Sequence, residues 1–240
     1  MKQQEPGSLP YALKRFKYNS HYWVLKFLSA AERPLRILDV GTADGYLGAI
    51  LKNRGHSLVG VEQNVAAAEH ARPYYDCLYV ADIESFEFPY LEEFDFILFA
   101  DVLEHVKDPI RVLRRSLPTL KKTGELIIAL PNIANIVIRL SLLAGRFDYY
   151  ERGILDRTHL RFFTLSGLKK MVQEASCRIL EVAPTPLPLQ LVLPISERRI
   201  FDPFHEAHYF LVQLWKTLFA YQFVVRAAPE SAPNGSDGKR

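Results

Sequence analysis

The chain has 240 residues, 49% of them hydrophobic and 24% charged, a balance that excludes wholesale disorder, collagen-like repeats and disulfide scaffolds and leaves apolar mass for one large core. Thirty basic against 27 acidic side chains give a formal charge of +3, too small a surplus for a nucleic-acid footprint without clustering. Cys77 and Cys177 lie in apolar runs outside any Cys-x-x-Cys pair and read as buried thiols of a reducing compartment. The first residues carry no apolar signal core, and the apolar stretch 126–144 is broken by Pro131, Asn132, Asn135 and Arg139, so a cytoplasmic chain without a membrane span is expected.

In chain order, residues 1–33 form a helical preface: Tyr11, Leu13, Tyr18, Tyr22, Leu25 and Leu28 recur among basic residues, and Pro34 closes it. Short β-rich runs then alternate with helical ones, with strands at 35–40, 57–61, 77–81, 94–100 and 125–130 and helices at 46–54, 64–72 and 108–120. This alternation predicts an α/β fold with a parallel sheet, because parallel neighbours need crossovers and the crossovers are helices. The nearly unbroken apolar runs at 96–100 and 126–130 place that sheet under cover on both faces. Residues 132–163, rich in Arg, Tyr and Asn, interrupt the pattern and read as a substrate cap. A helix capped by Thr164 runs through 175, a strand covers 178–182, and Pro184, Pro186, Pro188 and Pro194 mark a loop that cannot be central strand. A helix at 206–215, a final strand at 221–227 and a polar disordered tail at 229–240 complete the chain, so one domain is expected over 34–228. Arg111, Arg114, Arg115, Lys121 and Lys122 read as the solvated basic face of the helix at 108–120.

The informative segment is Ile37-Leu38-Asp39-Val40-Gly41-Thr42-Ala43-Asp44-Gly45-Tyr46: an apolar strand, a glycine-bearing turn and a helix start. Such a turn lets a ligand approach the backbone where a Cβ would clash. Asp39 and Asp44 would repel a pyrophosphate, Ala43 breaks the Gly-x-Gly-x-x-Gly pattern, and no Gly-Lys-Ser/Thr of a P-loop is present. The ammonium and sulfonium of S-adenosylmethionine are both cationic, and carboxylates at the turn favour them. Glu62 closes the second strand about 20 residues after the glycines, where an acid reaches both ribose hydroxyls. Asp82 ends the third strand, placed to accept from the adenine amine while the Ile83 N–H donates to the ring. The predicted cofactor set is therefore Asp39, Gly41, Thr42, Ala43, Gly45 and Tyr46 in the turn, Glu62 with Gln63, Asp82 with Ile83, and Asp101 after the fourth strand.

Over most of residues 35–182 the sequence resembles the class I S-adenosylmethionine-dependent methyltransferases, with Ala43 in place of the middle glycine of their first motif. Phe94-Asp95-Phe96-Ile97-Leu98-Phe99-Ala100-Asp101-Val102-Leu103-Glu104-His105-Val106 is similar to the fourth-strand motif of a subgroup that includes ubiquinone-biosynthesis O-methyltransferases. Pro131-Asn132-Ile133-Ala134-Asn135, Gly145-Arg146-Phe147-Asp148-Tyr149 and Leu155-Asp156-Arg157-Thr158-His159-Leu160-Arg161-Phe162-Phe163-Thr164 resemble bacterial methyltransferases encoded with, or fused to, glycosyltransferases. The resemblance implies a Rossmann-like seven-stranded sheet with an antiparallel last strand, a role for 221–227, and an acceptor drawn from cell-envelope glycans or lipid-linked saccharides in polysaccharide biosynthesis.

Methyl transfer to an unionised hydroxyl needs a base, and His159 in the cap and His105 after the fourth strand are the candidates, His159 first. Arg157, Arg161 and Tyr149 are the expected acceptor-binding residues, the arginines for carboxylate or phosphate and the tyrosine for stacking on a sugar. No Asn/Asp-Pro-Pro-Tyr motif follows the fourth strand, so oxygen is favoured over nitrogen as acceptor atom. Asp101, Glu104 and His105 on one turn read as a helix start, and no metal is expected. The expected partners are a small-molecule or glycan acceptor and no nucleic acid, with peripheral membrane contact through the amphipathic stretch 133–147 as a hypothesis. The sequence leaves oligomeric state open. It also leaves open a polyprenylated phenol as acceptor and a non-catalytic, cofactor-binding partner subunit.

Overall fold

A computed structural model describes residues 17–188 and 202–230. Within them the strands are β1 (Arg36–Val40), β2 (Ser57–Glu62), β3 (Cys77–Val80), β4 (Phe94–Ala100), β5 (Leu120–Pro131), β6 (Cys177–Thr185) and β7 (Gln222–Pro229). The helices are α1 (Ser20–Leu28), α2 (Tyr46–Asn53), α3 (Val65–Ala71), α4 (Pro109–Ser116), α5 (Ile136–Leu143), α6 (Leu165–Glu174), α7 (Asp202–Leu214) and α8 (Lys216–Phe219). The strands form one seven-stranded sheet in the order β3-β2-β1-β4-β5-β7-β6. β1 to β5 run parallel, whereas β7 is antiparallel to both β5 and β6. This is the expected Rossmann-like sheet with its reversed last strand.

Successive strand residues point to opposite faces, and the core divides accordingly. Leu38, Val40, Ile97, Phe99 and Ile128 pack with Val112, Leu113, Leu168 and Val172 of α4 and α6. Ile37, Leu58, Leu98 and Ile127 pack with Val24, Leu47, Leu51 and Ala68 of α1 to α3. Both faces are covered, which is why these strands read as apolar runs without alternation.

Most elements fall where the apolar pattern puts them, and the departures have local causes. The helix predicted over 108–120 stops at Ser116, because Leu117–Thr119 tighten into a 3-10 turn around Pro118, with the Ser116 and Thr119 hydroxyls donating to the Leu113 and Ser116 carbonyls. Lys121 and Lys122 then belong to β5, so the five basic residues share no helix face. Nor is the arginine face simply solvated: Arg114 donates to the Glu174 carbonyl, and Arg115 to those of Glu84, Ser85 and Phe86. Pro184 is not in a loop; it pairs with Phe223 in β6, an edge strand, where a missing N–H costs no ladder bond on the open side. Pro229 likewise ends β7, one residue past the expected domain limit. The start of the helical preface (1–16), the loop with Pro194 (189–201) and the predicted tail from 231 lie outside the described residues.

The cap carries α5 and is latched to the C-terminal elements by two buried asparagines. Asn132 Nδ2 donates to the Ala220 carbonyl at 2.9 Å, and Asn135 Nδ2 donates to the same oxygen at 2.9 Å. Asn135 Oδ1 accepts from Val137 N–H and so also caps α5. After the cap, Thr164 Oγ1 accepts from Gly167 N–H at 3.1 Å as the predicted cap of α6. Thr164→Ala is expected to cost about 1 kcal/mol, a fall of roughly 2–4 °C in Tm by calorimetry for a chain of this size.

Candidate active site

The carboxyl ends of β3, β2, β1 and β4 stand side by side, and each delivers one of the predicted acids to one edge of the sheet. The turn after β1 contains three left-handed residues, Gly41 (φ 75°), Ala43 (φ 45°) and Gly45 (φ 77°). Glycine takes this conformation freely, so Ala43 is a local cost in the turn of order 1 kcal/mol. Gly45 is irreplaceable for a second reason: a Cβ there would lie 2.7 Å from the Ala71 Cα, so α2 could not start against α3.

Glu62 holds the turn. Its Oε2 accepts from Ala43 N–H at 2.9 Å and its Oε1 from Asn64 N–H at 2.8 Å, while Gly41 N–H donates to the Val61 carbonyl at 2.8 Å. Asp39 is fully enclosed and accepts a 2.5 Å hydrogen bond from the Tyr75 hydroxyl. Burial pushes its carboxyl up to about 6, with the nearby Glu62 adding to the rise and the Tyr75 bond opposing it. Asp44, which the charge argument placed beside a cationic ligand, is turned toward His70 of α3, with Oδ1 3.3 Å from Nδ1. Asp82 Oδ1 accepts from Glu84 N–H at 2.9 Å; Ile83 is half-buried and Gln63 exposed. Thr42 is buried, and Tyr46 meets the His21 ring of α1 at 4.8 Å. Asp101 sits beyond β4 at φ 60°, its carboxylate accepting from Gln222 Nε2 at 2.6 Å.

On the acceptor side, the cap lies against the turn Leu103–His105, with Leu160 and Arg161 N–H both donating to the Glu104 carbonyl (2.8 and 3.0 Å). This brings the two predicted histidines together: the rings of His105 and His159 meet edge to face at 4.8 Å. His159 Nδ1 lies 3.1 Å from the Ile154 carbonyl, which can only accept, so that nitrogen carries the proton and Nε2 faces Glu104 Oε1 at 3.9 Å. Burial, and then the charge of His105, push His159 down toward its neutral form. Asp156 accepts from the Thr158 N–H (2.8 Å) and hydroxyl (2.7 Å), and these bonds hold its carboxyl below the usual range although burial works the other way. With its proton given to Asp156, the Thr158 hydroxyl accepts from His105 Nδ1 at 3.1 Å, so Nε2 is the ring nitrogen left clear of this contact.

The two predicted arginines do not act as a pair. Arg157 bonds Glu151 at 2.7 Å on the surface, and the Arg161 guanidinium donates to the Lys107 carbonyl. Tyr149 is half exposed, and with Phe147 it borders Phe162, whose ring stands 6.2 Å from His159.

A family profile described as a methyltransferase domain matches residues 11–182. The chain belongs to this methyltransferase family. Over 214 residues it is 27% identical to a ubiquinone biosynthesis O-methyltransferase of Rhodopseudomonas palustris, covering 84% of this chain and 77% of the relative. A tRNA 5-carboxymethoxyuridine methyltransferase of Escherichia coli is 27% identical over 128 residues, 50% of this chain and 49% of that one. Among solved structures, a possible histamine N-methyltransferase of Thermotoga maritima shares the fold with a TM-score of 0.58 and 21% identity, over 89% of this chain and 90% of that one.

The methyltransferase depends on S-adenosylmethionine, and the donor chemistry fits that cofactor: four carboxylates at adjacent strand ends offer acceptors to its hydroxyls and adenine amine and negative charge to its ammonium and sulfonium. Bound, the cofactor supplies an electrophilic methyl group on a sulfonium. The chain's own part is to fix donor and acceptor in line. Reading the sequence missed Tyr75, Gln222 and Thr158. Each acts through a partner distant in sequence, and no spacing signals such a contact.

Proposed function

We propose that the methyltransferase acts on the hydroxyl of a saccharide, free or lipid-linked, with Glu62 and Asp82 holding the cofactor and His105 and His159 at the acceptor hydroxyl. The observation that carries this reading is the aromatic path in the cap, from half-exposed Tyr149 and Phe147 through Phe162 to His159, because ring faces of this kind stack on the apolar faces of sugars. Exposed Val137, Leu140, Leu142 and Leu143 on α5, beside Arg139 and Arg146, suit an acceptor presented at an anionic membrane surface. No helix among the described residues is long and apolar enough to cross a membrane, so such contact would be peripheral. A second reading, a polyprenylated phenol, is favoured by the ubiquinone O-methyltransferase relatives and uses the same aromatic path.

Transfer of a labelled methyl group to a panel of nucleotide sugars, lipid-linked saccharides, polyprenylated catechols and tRNA tests this directly. Label in a saccharide is expected; label confined to a catechol would install the second reading, and label in tRNA would overturn both. Tyr149→Ala is expected to raise the acceptor KM about five- to ten-fold at unchanged cofactor affinity, the size of one lost aromatic contact. Steady-state kinetics with both substrates varied reads it.

A further inference from the structure

We propose that Glu104, His105 and His159 form a binding site for a divalent transition-metal cation. One ligand atom from each of the three lies within 4.8 Å of the others, although His159 is more than 50 residues from the rest in sequence. The turn after β4 supplies the carboxylate and one imidazole, and the cap supplies the second imidazole through the Leu160 and Arg161 bonds to the Glu104 carbonyl. Asp101, which the sequence groups with Glu104 and His105, is held by Gln222 instead.

Three features separate this cluster from a chance meeting of polar groups. Each imidazole has its Nδ1 fixed from behind, His159 by the Ile154 carbonyl and His105 by Thr158, which in turn is held by Asp156. Such second partners fix tautomer and ring orientation in metal-binding histidines and leave Nε2 as the ligand atom. The 3.9 Å between His159 Nε2 and Glu104 Oε1 is too long for a hydrogen bond. Two ligands that each stand about 2.1 Å from one tetrahedral centre are about 3.4 Å apart, so this pair must close by about 0.5 Å, and the widest separation of 4.8 Å by about 1.4 Å, through side-chain rotation as the cation binds. Two imidazoles and one carboxylate are also the donor set that binds Zn²⁺ or its first-row neighbours while leaving positions for other oxygen ligands.

The cation site stands by itself; its catalytic part rests on the acceptor reading above. A hydroxyl bound at an open position would lose its proton to solvent water more readily. The freed oxygen pair would then form the bond to the methyl carbon as the carbon–sulfur bond breaks and its electron pair stays on sulfur. His105 and His159 would thus serve as ligands rather than as bases.

The test is titration of chelator-treated full-length protein with Co²⁺, read by visible absorption, and with Zn²⁺, read by calorimetry, both without acceptor. One equivalent of Co²⁺ with ligand-field bands is expected, with affinity reduced at least about 100-fold in His159→Ala and His105→Ala. S-adenosylmethionine binding is the folding control for each variant, and His159→Gln replaces His159→Ala if the cap loosens. Absence of saturable Co²⁺ binding in the intact protein, or binding unchanged in both histidine variants, overturns the proposal. Because no acceptor is present, a wrong choice of acceptor leaves this result untouched.

Discussion

Glu62→Ala is expected to weaken S-adenosylmethionine and S-adenosylhomocysteine binding about 100-fold in calorimetric titration. The carboxylate closes β2 and is already oriented by Ala43 and Asn64 N–H, so it meets ribose hydroxyls with little loss of side-chain freedom. A hydrogen bond to a charged group contributes roughly 1.5–3 kcal/mol, and each 1.4 kcal/mol is tenfold in affinity. The orphaned Ala43 N–H lies at the mouth of the turn, where water can replace its partner, so stability should fall by about 1 kcal/mol or less. Binding lost uniformly from ground and transition states raises the cofactor KM and leaves kcat nearly unchanged. A Glu62→Ala variant that binds both cofactor forms like the parent would remove the ribose assignment. It would also leave Glu62 as a clamp for the turn alone.

How far the sequence reaches is clearest at the ends of β1 to β4. Asp39, Glu62 and Asp101 stand at the ends of apolar runs buried on both faces, and such runs announce both the strand and the place where it stops; Asp82 follows β3, a short edge strand that is only partly buried. The turn chemistry was equally local, since Gly41 and Gly45 stand where a left-handed backbone is needed. What escaped was decided at long range. Tyr75 reaches Asp39 across 36 residues and Gln222 reaches Asp101 across 121. His105 and His159 were each recognisable as candidate bases, but their meeting depends on how the cap folds back, which no periodicity encodes. The arginines around His159 also took their surroundings from the fold. Their spacing suggested an anion site, and in the structure Glu151 and the Lys107 carbonyl are their partners.

The buried Asp39–Tyr75 pair should couple cofactor binding to pH. Its carboxyl is raised to about 6 in the folded chain, against an unfolded value near 3.9. Between those limits the folded state keeps the proton and the unfolded state has released it. Stability contributed by the protonated acid is therefore complete below about pH 4, declines as pH rises, and is gone above about pH 6. Two units of separation correspond to about 3 kcal/mol, so Asp39→Asn should flatten the dependence of the unfolding free energy on pH across this window. Denaturant melts at half-unit steps would show it. Cofactor binding runs the other way: a cationic ligand favours the ionised acid, so affinity in the parent should rise as pH passes about 6 and binding should release a proton. Titrations near pH 6 in buffers of different ionisation enthalpy count that proton, and in Asp39→Asn the release should vanish. Tyr75→Phe separates the two halves of the pair. It leaves the carboxylate buried without its donor, so the pH at which binding strengthens should move upward. A midpoint that stays near 6 in Tyr75→Phe would mean that burial alone sets the acidity of Asp39, and that the tyrosine serves only to fill the space beside Gly48 and Gly60.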